Sequence, residues 1–149
     1  LTVIIAASCF CFSCSKDTVY SKFQPIHNKA WEKESGYYFK FEIKDNAVPY
    51  HISIQLRNND IYPYQNLWLL CEEEQPDSTI VKDTLECMLA DDFGKWAGNG
   101  ITLYQCEFPL RTNYHFPDTG TYTLHIRHGM RDDILIGIED IGVFIEKAK

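Results

Sequence analysis

A cysteine at the end of an apolar run is the residue whose surroundings indicate chemistry most clearly in this sequence. Residues 1–13 carry no charged side chain, and Cys14 is followed at once by the polar residues Ser15 and Lys16. This pattern is typical of a secretory signal segment that is removed before a cysteine, whose thiol then carries lipid. The sequence therefore predicts a signal segment over residues 1–13, truncated at its N-terminal end, a lipid on Cys14, and an anchor and tether over residues 14–18.

Cys9 is an alternative lipid-bearing residue, because three small residues precede it. Cys14 is preferred since the apolar run continues to Phe12, although the residues before Cys14 match the usual Leu-small-small-Cys sequence poorly. A short buried strand and an ordinary signal peptide are the other interpretations of this segment. A membrane-spanning helix is disfavoured, because fourteen residues are fewer than the roughly 20 that cross a bilayer.

A covalent lipid would also determine where the protein lies in the cell envelope. Several acyl chains hold a domain firmly to a membrane, since each buried methylene contributes about 0.8 kcal/mol. Ser15 directly after the cysteine favours the outer membrane, and the sequence leaves the periplasmic side and the cell surface open. The net charge of −7, without a cluster of Lys or Arg, disfavours nucleic-acid binding and a basic membrane-binding face. We therefore expect membrane contact through the lipid and no nucleic-acid partner.

The remaining cysteines and the histidines do not form a metal-binding pattern. Beyond the predicted anchor at Cys14 the cysteines are Cys71, Cys87 and Cys106, of which at most two can join in a disulfide. A Cys71–Cys87 disulfide is one alternative, and three buried thiols are the other. The five histidines are scattered, and no Cys-x-x-Cys sequence occurs after Cys14. We expect no metal and no cofactor other than the covalent lipid.

The acidic residues allow hydrolase and calcium hypotheses, but neither has a specific pattern. Paired carboxylates occur at residues 72–74 and 91–92, and a glycosidase needs two carboxyl groups at a defined separation. Residues 130–133 together with 139–140 could supply oxygen ligands, yet they lack the regular spacing of a calcium loop. The Gly-x-Ser-x-Gly sequence of serine hydrolases is absent. These charges are better interpreted as solvated surface, and no catalytic residue is predicted.

Aromatic residues make the most suggestive binding surface. Tyr62, Tyr64, Trp68 and Trp96 are candidates for partner contact, because Tyr and Trp give a large contact area at a low entropic cost. The same side chains could stack against sugars. The alternative is that Pro63 begins an edge strand and that the aromatic rings pack across the sheet.

Period-two alternation predicts the elements that must position these residues. Clear strands are separated by turn residues, and no segment has a sustained helical period. The predicted strands cover residues 37–44, 50–56, 64–74, 79–89, 101–108, 119–127 and 138–146, with a looser alternation at 19–23. Residues 24–35 and 90–100 are predicted as irregular. This spacing predicts a single all-β domain over residues 19–149, an antiparallel β-sandwich or jelly roll.

Six short segments in this order resemble the GldH family of gliding-motility lipoproteins. They are Tyr-Pro-Tyr-Gln-Asn-Leu-Trp-Leu at 62–69, Asp-Thr-Leu-Glu-Cys at 83–87, Gly-Lys-Trp-Ala-Gly-Asn-Gly-Ile at 94–101, Gly-Thr-Tyr-Thr-Leu at 120–124, Gly-Met-Arg-Asp-Asp at 129–133 and Gly-Ile-Glu-Asp-Ile-Gly-Val-Phe-Ile-Glu at 137–146. The resemblance runs from about Cys14 to the C-terminus. It implies an outer-membrane lipoprotein that supports gliding and type IX secretion by stabilising partner lipoproteins, without enzymatic activity.

Three functional hypotheses follow from these observations. The first is a lipid-anchored, non-enzymatic sandwich that binds other envelope lipoproteins, and it uses the cysteine signal, the strands and the ordered segments together. The second is a lipid-anchored carbohydrate-binding module, which uses the same aromatic residues. The third, a hydrolase, depends only on the abundant carboxylates.

Overall fold

Nearly all of the regular secondary structure consists of β-strands, which form where apolar and polar residues alternate. A computed structural model describes residues 17–149, and in this part of the chain ten strands and one 3-10 turn are formed. The strands are β1 (Thr18–Pro25), β2 (Ala30–Glu32), β3 (Tyr37–Ile43), β4 (Tyr50–Asn59), β5 (Asn66–Glu74), β6 (Ile80–Met88), β7 (Leu103–Tyr114), β8 (Gly120–His128), β9 (Ile134–Ile136) and β10 (Ile138–Lys147), and the turn is His27–Lys29.

Eight of the strands form two four-stranded sheets. The first sheet has the order β1-β10-β4-β7 and the second has the order β3-β8-β5-β6, with antiparallel pairing throughout. Consecutive long strands change sheet at every connection except the β5–β6 hairpin, which is the strand order of a jelly roll. β2 and β9 form a separate small sheet. The predicted all-β antiparallel sandwich is confirmed, and the jelly-roll alternative is the one observed.

The core lies between the two sheets and is built from one face of each strand. Buried and less buried residues alternate strictly along β4, as a strand with one covered face requires. The apolar side chains facing inward are Phe39, Phe41, Ile43, Ile52, Ile54, Leu56, Leu67, Leu69, Tyr122, Leu124, Ile126, Ile141, Val143 and Ile145. This periodicity is the signal from which the strands were predicted.

Three elements were not predicted, and two strands are longer than expected. β4 was predicted to end at residue 56, but it continues to Asn59. Residues 24–35, predicted as irregular, contain the end of β1, the 3-10 turn and β2, and the short strand β9 was also missed. β7 was predicted to end at residue 108, but it continues past Pro109 to Tyr114. β2 and β9 were missed because a strand of three residues is too short to show alternation of apolar and polar residues. The end of β7 was placed too early because proline usually interrupts a strand, although an edge strand tolerates it.

The Cys71–Cys87 disulfide, one of the alternatives, is contradicted by the structure, in which Cys71, Cys87 and Cys106 are free thiols. Cys71 lies opposite Asp83 in the β5–β6 ladder, so four residues of β6 place Cys87 about 13 Å away along the strand. Disulfides need Cα atoms within about 7 Å. Residues 1–16, with the signal segment, Cys9 and Cys14, lie outside the described residues.

The two ends of the sandwich differ. Four connections meet at one end, here called the loop end, and they are residues 26–36, 60–65, 89–102 and 129–137. Thr18 lies at the opposite end, because it pairs with Glu146 while Pro25 pairs with Asp140. Within residues 17–149 there is no helix with the length and hydropathy needed to cross a bilayer.

Candidate functional site

A groove of about 470 Å³ lies at the loop end, where the start of β5 meets the connection between β8 and β9. Its lining combines aromatic, thioether and charged side chains. The residues are Tyr64, Asn66, Trp68, Gly129, Met130, Arg131 and Asp132, and they are called the groove below.

Tyr64 joins the two walls of the groove. Its hydroxyl group donates to the carboxylate of Asp132, at 2.9 Å from each oxygen. This hydrogen bond, together with desolvation and the charge of Asp132, raises the pKa of Tyr64. The bond holds the exposed ring of Tyr64 in place, since its own loop and the 129–133 connection both contribute to it.

Trp68 lies on the outward face of β5, where its side chain is 38% exposed. The backbone around it is closely bound to the facing loop. The Gly129 amide donates to the Trp68 carbonyl at 2.7 Å, and the Trp68 amide donates to Met130 Sδ at 3.3 Å. A Cβ at position 129 would lie 3.3 Å from the Leu70 side chain and 3.4 Å from Trp68 Cβ. The two segments thus approach so closely that a larger residue at 129 requires a small shift of Leu70.

His128 is a buried residue that binds the backbone of Met130, one of the groove residues. It is 1% exposed, and its Nδ1 accepts a hydrogen bond from the Met130 amide at 3.2 Å. Its Nε2 lies 3.1 Å from the Trp31 carbonyl, and since a carbonyl only accepts, the neutral ring carries its proton on Nε2. Burial lowers the pKa of His128 and favours this neutral form. Trp31 also packs edge-on against the imidazole ring, with 5.6 Å between centroids.

The predicted contact residues are not one surface. Tyr64 and Trp68 both line the groove, but Tyr62 is only 3% exposed and lies in the core. Its hydroxyl group donates to the Asn66 carbonyl at 2.6 Å, and burial raises its pKa. Tyr62 is therefore not accessible to a partner, and it instead positions the segment that leads into β5.

Trp96 is also outside the groove. It is half-buried, pairs with Ala90 through an isolated bridge, and packs against Tyr62 and Tyr104 at centroid distances of 6.4 and 6.0 Å. The alternative that the aromatic rings pack within the fold therefore applies to Tyr62 and Trp96. Partner contact at the surface stays a hypothesis for Tyr64 and Trp68 only.

The acidic residues considered as calcium ligands have separate partners. Asp132 accepts from Tyr64, Glu139 pairs with Lys29 at 3.4 Å, and Asp140 lies 3.7 Å from Arg57. Among residues 17–149 no group of three or more metal-ligating side chains comes together.

One charged cluster was missed by sequence reasoning. Glu73 was interpreted as part of a solvated acidic run, but it is 2% exposed and lies 2.8 Å from Arg111. Arg111 also binds Asp83, so this cluster connects the two sheets across the sandwich. A signal was present, because Glu73 continues the inward-facing series of Leu67, Leu69 and Cys71.

Comparisons with known proteins agree with the motifs. A family model described as GldH lipoprotein matches residues 18–145. The gliding motility lipoprotein GldH homolog of Christiangramia forsetii is 34% identical over 144 residues, which is 91% of this chain and 88% of that protein. Gliding motility lipoprotein GldH of Flavobacterium johnsoniae is 30% identical over 153 residues, covering 97% of this chain and 94% of that protein. The predicted resemblance is confirmed, and the chain belongs to the GldH lipoprotein family.

Proposed function

We propose that this chain is a lipid-anchored, non-enzymatic protein of the outer membrane that binds and stabilises other lipoproteins of the gliding-motility and type IX secretion machinery. Membership of the GldH family supports the part in gliding motility. The observation that supports protein binding is the groove, in which exposed Tyr64 and Trp68 lie beside Met130 and Arg131. These residue types are enriched in protein interfaces, and Trp, Tyr and Arg are the commonest hot spots.

The proposed anchor is compatible with an accessible groove. Cys14 is three residues before Asp17, and that length of chain reaches at most about 11 Å. A lipid on Cys14 would therefore keep the Asp17 end of the sandwich near the membrane. The groove is at the loop end, which a ten-residue strand such as β4 separates from the other end by about 30 Å.

The proposed contact is tested by Trp68→Ala, introduced at the native locus of the bacterium. We expect lower levels of the motility lipoproteins and reduced colony spreading, with an unchanged level of this protein, because the side chain lies on the outward face of β5. Tyr38→Ala is the matched control, since Tyr38 is an exposed aromatic residue on the same sheet that does not line the groove. If the two variants have equal lipoprotein levels and equal colony spreading, the groove is not the partner-binding surface.

The proposed lipidation is tested separately by metabolic labelling with a fatty acid. We expect the label on the native protein and its loss in Cys14→Ala. A label that persists in Cys14→Ala would assign the lipid to another cysteine, of which Cys9 is the first to replace.

A carbohydrate-binding role is the second candidate, because Trp68 and Tyr64 expose aromatic rings in one groove. Glycan-array binding that is lost in Trp68→Ala would favour it over protein binding. An array without signal would count against it.

A further inference from the structure

β6 is an open sheet edge. It forms nine consecutive antiparallel pairs with β5, from Glu74–Ile80 to Asn66–Met88, without an irregularity and without proline. In the part of the chain that the structure describes, β5 is the one strand that pairs with it. The outer row of backbone N–H and C=O groups along β6 is therefore available to another strand.

The other three long edges are protected. β1 has an irregular register and ends in Pro25, while β7 has two irregularities and contains Pro109. On β3, Gln24 Nε2 donates to the Tyr38 carbonyl at 2.6 Å and so occupies an outer backbone acceptor. Bulges, proline, covering side chains and edge charges are the usual means of preventing edge pairing. Within residues 17–149, β6 has none of the first three, and its charged residues are Lys82, Asp83 and Glu86.

The sequence of β6 is complementary to itself when a second copy runs antiparallel to it. If Thr84 faces Thr84 of the second copy, then Lys82 faces Glu86 and Ile80 faces Met88 on the outward face. Hydroxyl, opposite-charge and apolar pairs are all favourable cross-strand combinations. We propose that two copies of this chain associate through β6, paired antiparallel about Thr84, to form one continuous sheet of eight strands.

The charges already present on β6 are compatible with this pairing. Lys82 lies 3.4 Å from Glu72, and Glu86 accepts from Asn66 at 2.9 Å, but the Lys82 side chain is 74% exposed. A carboxylate and an ammonium group each accommodate more than one partner. Asp83 points to the inner side, where Arg111 binds it, so its charge is neutralised at the new interface.

The symmetry of the pair also allows both copies to be anchored in one membrane. The two-fold axis of an antiparallel strand pair is perpendicular to the shared sheet. Rotation about this axis places the second sheet of each sandwich on the same side of the shared sheet in both copies. β1, with Thr18 at its start, belongs to the other sheet of the sandwich. The two chain starts therefore lie on one side of the assembly, at its two opposite ends along the strands. When both are held to one membrane, the strands lie along it, and the outward face of the β3-β8-β5-β6 sheet, which carries Trp68, points away from the membrane.

The proposal is tested with the full-length lipoprotein in native membranes. In Thr84→Cys, a short thiol cross-linker is expected to give a product of twice the chain mass, because the two introduced cysteines face each other. The parent protein controls for its own cysteines. Lys40→Cys is the matched control, since it is exposed on the protected edge strand β3.

Charge reversal then tests the register. Lys82→Glu or Glu86→Lys, each added to Thr84→Cys, would place like charges together twice in the pair, and we expect about a tenfold loss of cross-linked product. Differently tagged copies of the two reversed variants are expected to cross-link to each other, because their charges are complementary. Within one copy the two residues lie about 13 Å apart on the same strand, so a purely local role would not give this rescue.

Three results would overturn the proposal. They are a Thr84→Cys product no stronger than that of Lys40→Cys, equal cross-linking in the charge-reversed variants, or a product that joins position 84 to a different protein. The last result would assign the open edge to a partner strand instead of a second copy.

Discussion

Arg111 illustrates how one side chain can determine the relation of the two sheets. It projects from β7 and binds Glu73 on β5 and Asp83 on β6. Glu73 is almost completely buried, and its Oε1 has no hydrogen-bond partner among the described residues. A buried carboxylate in this position is tolerable only while the guanidinium group is present.

Removal of Arg111 is therefore expected to be costly. Arg111→Met should lower the free energy of unfolding by about 3–5 kcal/mol, because Glu73 is left charged and buried. Adding Glu73→Met should recover most of that loss. Chemical denaturation measures both, and Lys82→Met, which breaks the exposed pair with Glu72, should cost less than about 1 kcal/mol. A similar small cost for Arg111→Met would show that the cluster does not hold the sheets together.

His128 makes the free energy of unfolding depend on pH, and the direction follows from its lowered pKa. Burial is the largest cause that lowers its pKa; Lys33 lowers it further, while Asp132 and the Trp31 carbonyl oppose the change. A base with a lowered pKa binds protons more readily in the unfolded chain, so stability rises with pH. Its contribution is complete above the ordinary pKa of about 6.5 and is lost as the pH falls below that value.

We therefore expect the free energy of unfolding to fall between pH 7.5 and 5.5, and to fall less steeply in His128→Gln. The difference in slope can reach about 1.4 kcal/mol per pH unit for one proton. Denaturation at several pH values measures it, with the exposed His115→Gln as control. Parallel slopes for the parent and His128→Gln would contradict this account of the histidine.

At the scale of elements, the small β2–β9 sheet closes the loop end although each strand has only three residues. Trp31 and Leu135 face each other in this ladder, and both are fully buried. Trp31 also donates through Nε1 to the Ser35 carbonyl at 2.9 Å. Packing, and not strand propensity, therefore stabilises these two strands.

Leu135→Ala should lower the free energy of unfolding by about 2–5 kcal/mol, since it leaves a cavity beside Trp31. Amide exchange in β2 should become faster at the same time. Ile134→Ala is the control, because Ile134 is 55% exposed on the same strand, and it should cost less than about 1 kcal/mol. Equal effects of the two substitutions would mean that the small sheet is not held by its buried side.

The limits of sequence reasoning follow from the same elements. Alternation predicted the long strands and their inward faces because one covered face enforces period two. It could not predict β2 and β9, which pair only when the fold brings the β1–β3 connection against the β8–β10 connection. The sequence also suggested Tyr64 and Trp68 correctly as exposed rings, but it could not distinguish them from buried Tyr62. That distinction depends on loop geometry, to which hydrophobicity is not sensitive.

For the whole molecule, exposed apolar side chains are concentrated at the loop end. Of the eleven exposed large apolar residues in the described part of the chain, ten lie in its four connections or within three residues of them. They are Tyr38, Ile61, Tyr64, Trp68, Met88, Phe93, Ile101, Leu103, Ile134 and Ile136. Concentrated apolar surface is typical of interaction sites, whereas single exposed residues are ordinary. The distribution agrees with the proposal that partners approach the end away from the lipid.

A photoreactive amino acid at two positions would test this polarity. Phe93 is 96% exposed at the loop end, and Lys44 is exposed in the connection between β3 and β4 at the opposite end. In living cells we expect the probe at position 93 to capture motility lipoproteins, and the probe at position 44 to capture them far less. Both sites are exposed, so a difference between them reflects the location of the partner and not the stability of the fold. Preferential capture from position 44 would mean that the partner contacts the end at which the strand β1 begins. The groove would then lie at the opposite end of the sandwich from the partner, which contradicts its proposed role.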